Sequence, residues 1–335
     1  MKKYRKGFRW KRLLNKRSRK AIKRQKKTRS LNKSKNIKHF KKVIIEAPEI
    51  LSFLKNLEET VLFFHKVEEA VSKGNNTYLN LSNISIITGD AILYLLSITE
   101  KNRGSHATGS IGGNVPWDHD ARKYLEASGF YKYVKSNVDF ISVNQNFFAI
   151  RRGLLVEPKT LKEAIQFSLK KCKNNQSISI FLIYEIYRSL NEATGNIAQH
   201  AYSKNKLRRY WWLMVEFVEK EERLRFYVLD NGLGISETIA KKLKERIFDF
   251  VFGFFSNHSD ADYILSALKG EFRSETRKKY RGFGLPEIQG IAKNKHIAEF
   301  HIISNFGFVD VKKMRPTKLS SKIYGTMLTW EIQLL

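Results

Sequence analysis

Apolar positions return every three to four residues along EILSFLKNLEETVLFFHKVEEAV (49–71), with acids on the opposite side, and this spacing predicts an amphipathic helix. The period then changes. TYLNLSNISII (77–87) alternates as a strand does, GDAILYLLSITEK (89–101) returns to helical spacing, and GSIGGNV (109–115) reads as a short strand entering a turn. DHDARKYLEASGFYKYV (118–134) is helical in pattern, with Gly129 placed as a bend or C-terminal cap. Strands alternating with helices predict a small α/β layer with a partly parallel sheet over residues 43–150. Residues 151–176 read as a link followed by a lead-in helix, TLKEAIQFSLKKC.

Residues 1–42 stand outside any such pattern, with 21 Lys and Arg and no acid. Too few apolar residues are present to fold them alone, and their charges repel, so a basic disordered arm is expected. The arm accounts for most of the formal charge of +30, which leaves the rest of the chain only mildly basic. Phe8, Trp10, Leu13 and Leu14 interrupt the charge and give the arm groups that stack or dock. Such a segment suits DNA or RNA, where Lys and Arg displace counterions from phosphates, and equally another acidic surface such as anionic lipid.

With 335 residues, 42% of them hydrophobic, the remainder has ample material for real cores, which excludes wholesale disorder. The single cysteine, Cys172, excludes an internal disulfide framework, suggests no structural zinc site by itself, and suits a reducing cytoplasm. No run approaches the roughly 18 apolar residues of a membrane span, and no signal-peptide core follows the arm.

The chemistry gathers beyond residue 177. ISIFLIYEIYRSLNEATGNIAQHAY (178–202) reads as one helix, whose Ile183, Tyr187, Leu190, Thr194, Ile197 and Ala201 fall in an apolar arc. Opposite them lie Glu192, Asn196, Gln199 and His200, short and mostly uncharged groups unlike the Lys and Glu of a solvated face. Glu192 and Asn196 are four apart and project together. RLRFYVLDNGLGIS (223–236) is a strand running into Asp230, Asn231, Gly232, Leu233 and Gly234, where glycines let backbone pass close to a ligand. RKKYRGFGLPEI (277–288) places Arg281, Gly282, Gly284 and Leu285 at a turn that opens a helix, whose N–H groups suit phosphate.

In this order the three stretches resemble the GHKL superfamily of ATP-binding domains shared by gyrase, MutL and the histidine kinases. Glu192-x-x-x-Asn196 matches the N box, Asp230-x-Gly232-x-Gly234 the first glycine box, and Gly282-x-Gly284-Leu285 the second. Gly325 and Thr326, in YGTMLTWEIQL, match the Gly-Thr before the family's last strand. The form EATGNIAQHAY is most similar to the anti-sigma serine kinases.

The resemblance implies a two-layer α/β sandwich of Bergerat type over 177–335, with helices on one face of a mixed sheet and a mobile lid near 236–280. It implies ATP and Mg²⁺ as cofactors, with Asn196 on the metal, Glu192 orienting or deprotonating water, and Asp230 accepting from the adenine amino group. Gly282 and Gly284, with Arg281, would serve the phosphates.

The wording of residues 45–150 resembles STAS domains. It departs where that family carries an Asp followed by a phosphorylatable Ser, since this chain has Thr88, Gly89 and Asp90. A degenerate STAS-like docking scaffold is therefore the expectation, and the glycines 109, 112 and 113 form no P-loop because no Gly-Lys-Ser/Thr follows.

Three functions remain open: an ATP-driven switch or slow ATPase acting on a protein or nucleic-acid partner, a serine/threonine protein kinase of anti-sigma type, and a nucleic-acid-binding protein with a vestigial ATP site. The aromatic ERIFDFVFGFFSNHSD (245–260) suits packing or a homo-oligomer contact, and His258 a surface loop.

Overall fold

The computed structural model describes residues 41–103, 110–134, 144–154, 157–172, 187–188, 190, 210–244, 259–272 and 284–334. The chain divides into two units, Met1–Lys41 and Lys42–Leu335. Residues 1–40 of the basic arm lie outside the described residues, while Lys42, counted in the arm by composition, is the first residue of a strand; everything below concerns the second unit.

That unit is mixed α/β. Its N-terminal part has five short strands, β1 (Lys42–Glu46), β2 (Ile50–Leu51), β3 (Asn76–Asn80), β4 (Ile86–Ile87) and β5 (Ile111–Gly113), with helices α1 (Leu57–Ser72), α2 (Gly89–Arg103) and α3 (His119–Ser128). The strands form two sheets, β1-β3-β5 and β2-β4, and every pairing is parallel. The first helix starts at Leu57, eight residues later than its apolar period suggested. Ser52 is the reason: its hydroxyl accepts from the amides of Leu54 and Lys55 in a turn, and its own amide donates to Thr60 Oγ1 at 3.0 Å. Ile50 and Leu51 are left extended beside β4. Gly129 ends α3 at φ +80°, as its position suggested, and Asp118 caps the other end by accepting from the Ala121 amide.

A five-stranded sheet carries the rest: β6 (Phe147–Gly153), β7 (Trp211–Val218), β8 (Arg223–Asp230), β9 (Ile297–Asp310) and β10 (Arg315–Gln333), in the order β6-β7-β8-β10-β9. Its described pairings are antiparallel throughout. β6 crosses residue 150, so a strand from the end of the N-terminal segment is the edge of this sheet.

Alternate side chains of a strand point to opposite faces, and here both faces are buried. Trp211, Leu213, Val215, Phe226, Val228, Leu328 and Trp330 belong to one core, together with residues of α4 (Pro158–Cys172), α6 (Asp260–Lys269) and α7 (Gly284–Ala292). Trp212, Met214, Tyr227, Leu229, Ile303 and Met327 face the other way, into a core shared with α1, α2 and the N-terminal strands. The continuous run WWLMV in β7 follows from this double burial. A two-layer sandwich was expected for 177–335; within that range the described helices α6 and α7 pack on one face of the sheet, and residues of the N-terminal part cover the other.

Thr88, Gly89 and Asp90 lie at that junction. Asp90 is fully buried and accepts from Thr88 Oγ1 and from the amides of Phe53 and Ala91. A Cβ at Gly89 would lie 2.3 Å from Met214 Cε and 2.6 Å from the Tyr227 ring, so the start of α2 rests directly on the sheet. Beside it, Tyr124 and Tyr227 donate to the buried Glu216 at 2.7 and 3.3 Å, and burial raises that carboxyl above its usual range.

Candidate functional site

β8 ends at Asp230, whose strand neighbours are Trp211 on β7 and Thr326 on β10. Two residues of the sequence-derived site, 96 positions apart, are thus direct cross-strand partners. The chain turns at once after Asp230. Its Oδ1 accepts from the Gly232 amide at 2.6 Å, and Asn231 exchanges two hydrogen bonds with Tyr210, through its amide at 3.2 Å and its Oδ1 at 2.8 Å. Gly234 follows at φ +86°, and α5 (Ile235–Lys244) begins at the next residue.

Two residues on β9 hold this loop from beneath. Asn305, 1% exposed and at φ +54°, donates from Nδ2 to Leu233 O at 3.0 Å and accepts from Ser236 Oγ at 2.9 Å. Ser304 Oγ accepts from the Ile235 amide at 2.9 Å and donates to Gly325 O at 3.0 Å. A Cβ at Gly234 would lie 2.1 Å from Asn305 Oδ1, so the glycine is required by close approach as well as by its φ.

The third wall is a bulge. Along β9 the register advances one residue, from Ser304 to Asn305, while β10 spans Thr326 back to Ile323, leaving Tyr324 and Gly325 without ladder partners there. Gly325 sits at φ +86°, and a Cβ on it would fall 1.8 Å from Asp230 O. Its carbonyl finds Ser304, and the Tyr324 amide donates to Tyr94 Oη on α2 at 3.0 Å. Tyr94 in turn donates to Glu68 Oε1 at 3.0 Å.

Burial raises the Glu68 carboxyl from 4.5 to about 7, with Lys101 and Lys322 pulling it back. A raised carboxyl favours folding below pH 4.5 and loses that contribution as pH climbs through 7. Glu68→Gln should therefore flatten the stability curve in that window, gaining on the order of 2 kcal/mol relative to wild type between pH 5 and pH 8. Urea unfolding at the two pH values measures this, and parallel curves for the two proteins would refute it.

The described part of α7 begins at Gly284, with Leu285 next to it, and the turn expected at 281–283 lies outside the described residues. Leu285 packs with Ile235, the residue after Gly234, in one small cluster around Ile239, Tyr263 and Ala267. Arg188 forms an ion pair with Glu287 in the first turn of α7, and Leu190 is fully buried in the core that α7 shares. Residues 188 and 190 are thereby tied to the helix that runs from 284. Tyr187, placed in the apolar arc by periodicity, is instead 50% exposed.

Asp230, Gly232, Gly234 and Thr326 are brought together. Glu192, Asn196, Gln199, His200, Arg281, Gly282 and His258 lie outside the described residues. In the stretch assigned to the lid, α6 is a core helix: Ala261, Ile264 and Leu268 are fully buried, and a capping box joins Ser259 to Asp262.

Sequence reasoning missed Ser304, Asn305 and Tyr94. Asn305 had one available signal, an Asn-x-Gly inside an apolar run where the left-handed region is needed. Among the described residues no cluster of His, Cys, Asp and Glu could hold a metal ion, and no helix is long and apolar enough to cross a membrane. No protein-family model matches the chain, and no curated protein matches it.

Proposed function

We propose that residues 177–335 form a Mg-ATP-binding domain of GHKL type, acting as a slow ATPase or ATP-driven switch on a protein or nucleic-acid partner. The observation that carries the reading is the meeting of Asp230 with Gly325 and Thr326 across β8 and β10, under a glycine loop that runs straight into a helix. Asp230 offers a carboxylate acceptor for the adenine amino group, which guanine replaces with an oxygen. Thr326 adds a hydroxyl at the same strand end. The bare backbone of Gly232 and Gly234 lets the base approach.

Asn196 and Glu192 are the residues assigned to Mg²⁺ and to the attacking water, and Arg281, Gly282 and Gly284 to the phosphates. Bound Mg²⁺ would neutralise phosphate charge and polarise the γ-phosphoryl group. Residues 43–150, with parallel strands and helices α1 to α3, serve as a STAS-like scaffold.

Isothermal titration of the full chain with Mg-ATP tests the reading. Binding that requires magnesium and is lost with GTP supports it, and silence at millimolar nucleotide refutes it. Release of free phosphate from labelled ATP would mark an ATPase, and label on protein a kinase.

The arm is proposed to bind DNA or RNA. Affinity for a random-sequence duplex or single strand should fall by about a hundredfold between 50 and 200 mM salt, and should be lost on deleting residues 1–41. A salt-independent affinity, or one that survives the deletion, would discard this role.

A further inference from the structure

The bulge that frames the glycine loop is finished by the other half of the molecule. A bulge leaves its backbone groups without ladder partners, and a buried orphan amide costs about as much as a lost hydrogen bond. For Tyr324 the partner comes from α2: its amide donates to Tyr94 Oη, and that hydroxyl is oriented by donating onward to Glu68 on α1. Tyr94 is fully buried, with its ring edge-on to Phe53 and Phe64 at 5.5 and 4.9 Å, so the hydroxyl cannot wander.

A second contact runs the same way, since Lys101, also on α2, places Nζ 3.7 Å from the centre of the Tyr324 ring. From the bulge and the strand just before it, one contact reaches the strand end at the loop and another the helix that follows the loop. Gly325 lies against the Asp230 carbonyl, and Lys322 pairs with Glu237, in the first turn of α5.

The geometry points to Tyr94 as a positioning residue for the nucleotide loop, through which the N-terminal layer sets nucleotide affinity. The inference rests on the nucleotide reading above and assigns regulation of that same site to residues 43–103. Coupling of this kind is reciprocal: if the layer stabilises the loop for nucleotide, nucleotide must stabilise the layer.

Tyr94→Phe removes one hydroxyl and keeps the packed ring. In the full chain, its Mg-ATP dissociation constant should rise about tenfold, the effect of one lost hydrogen bond with a buried amide left unpaired. Hydrogen exchange should quicken at the Tyr324 amide. Saturating Mg-ATP should slow exchange across 89–100 in the wild type, and this response should vanish in Tyr94→Phe. A purely structural tyrosine would lower the melting temperature without touching the nucleotide response.

Glu68→Ala, at a part-buried position, removes the acceptor that orients the hydroxyl, and should weaken binding in the same direction by a smaller factor; it decides the matter if Tyr94→Phe does not fold. Wild-type affinity in both variants would overturn the inference while leaving the nucleotide reading intact. No Mg-ATP binding by the wild type would overturn both.

Discussion

Asp230→Ala should abolish measurable Mg-ATP binding, raising the dissociation constant by at least about a hundredfold. Two losses combine. The carboxylate is the acceptor assigned to the adenine amino group, and it also accepts from the Gly232 amide at 2.6 Å, fixing the first turn of the loop. Asp230→Asn separates these. An amide oxygen can still receive the Gly232 N–H, whereas the amide nitrogen presents a donor toward another donor on the base. The Asn variant should therefore keep the wild-type melting temperature and lose ATP. Titration calorimetry on both variants, with circular dichroism as the folding control, decides the outcome. Wild-type affinity in Asp230→Ala would end the assignment.

Gly325→Ala should be the most damaging single-methyl change at the site, costing about 3 kcal/mol or more. Its φ of +86° is one that side-chain-bearing residues rarely adopt, and its Cβ would lie 1.8 Å from Asp230 O. The obstacle is backbone of the neighbouring strand, so no rotamer change relieves it. At Gly89 the corresponding obstacle includes the flexible end of Met214, and Ala there should be milder. Chemical denaturation of the two variants gives the order. A Gly325→Ala protein as stable as wild type would show that the bulge yields, and that Asp230 and Thr326 are held less firmly than their pairing implies.

The loop after Asp230 was legible in the sequence because glycine in a strand or turn is a local signal, whereas Gly325 and Thr326, expected before a last strand, lie inside β10 at a bulge. Also legible were the C-cap at Gly129 and the helices α2 to α4, whose periods are regular. The start of α1 was misread, since a side-chain hydrogen bond at Ser52 overrides apolar spacing and spacing carries no record of it. Asn305 and Tyr94 were illegible for another reason. Their partners lie 72 and 230 positions away, at Leu233 and Tyr324, and a single sequence holds no sign of such pairings. Burial of the sheet on both faces was written in WWLMV, but a short apolar run does not say what covers it.

β10 is the last strand in chain order, yet it lies inside the sheet, between β8 and β9. During synthesis, α1, α2 and the N-terminal strands emerge long before Met327 and Ile303, the residues that close their core. On the ribosome this half must wait with Tyr94, Phe64 and its other apolar groups incompletely covered until nearly three hundred further residues have followed β1. The hydrogen bond from Ser304, beneath the glycine loop, to Gly325 on β10 and the last part of the N-terminal core both wait for β10 to enter between its two neighbours. A nascent chain stalled before that strand would present both unfinished cores to chaperones at once.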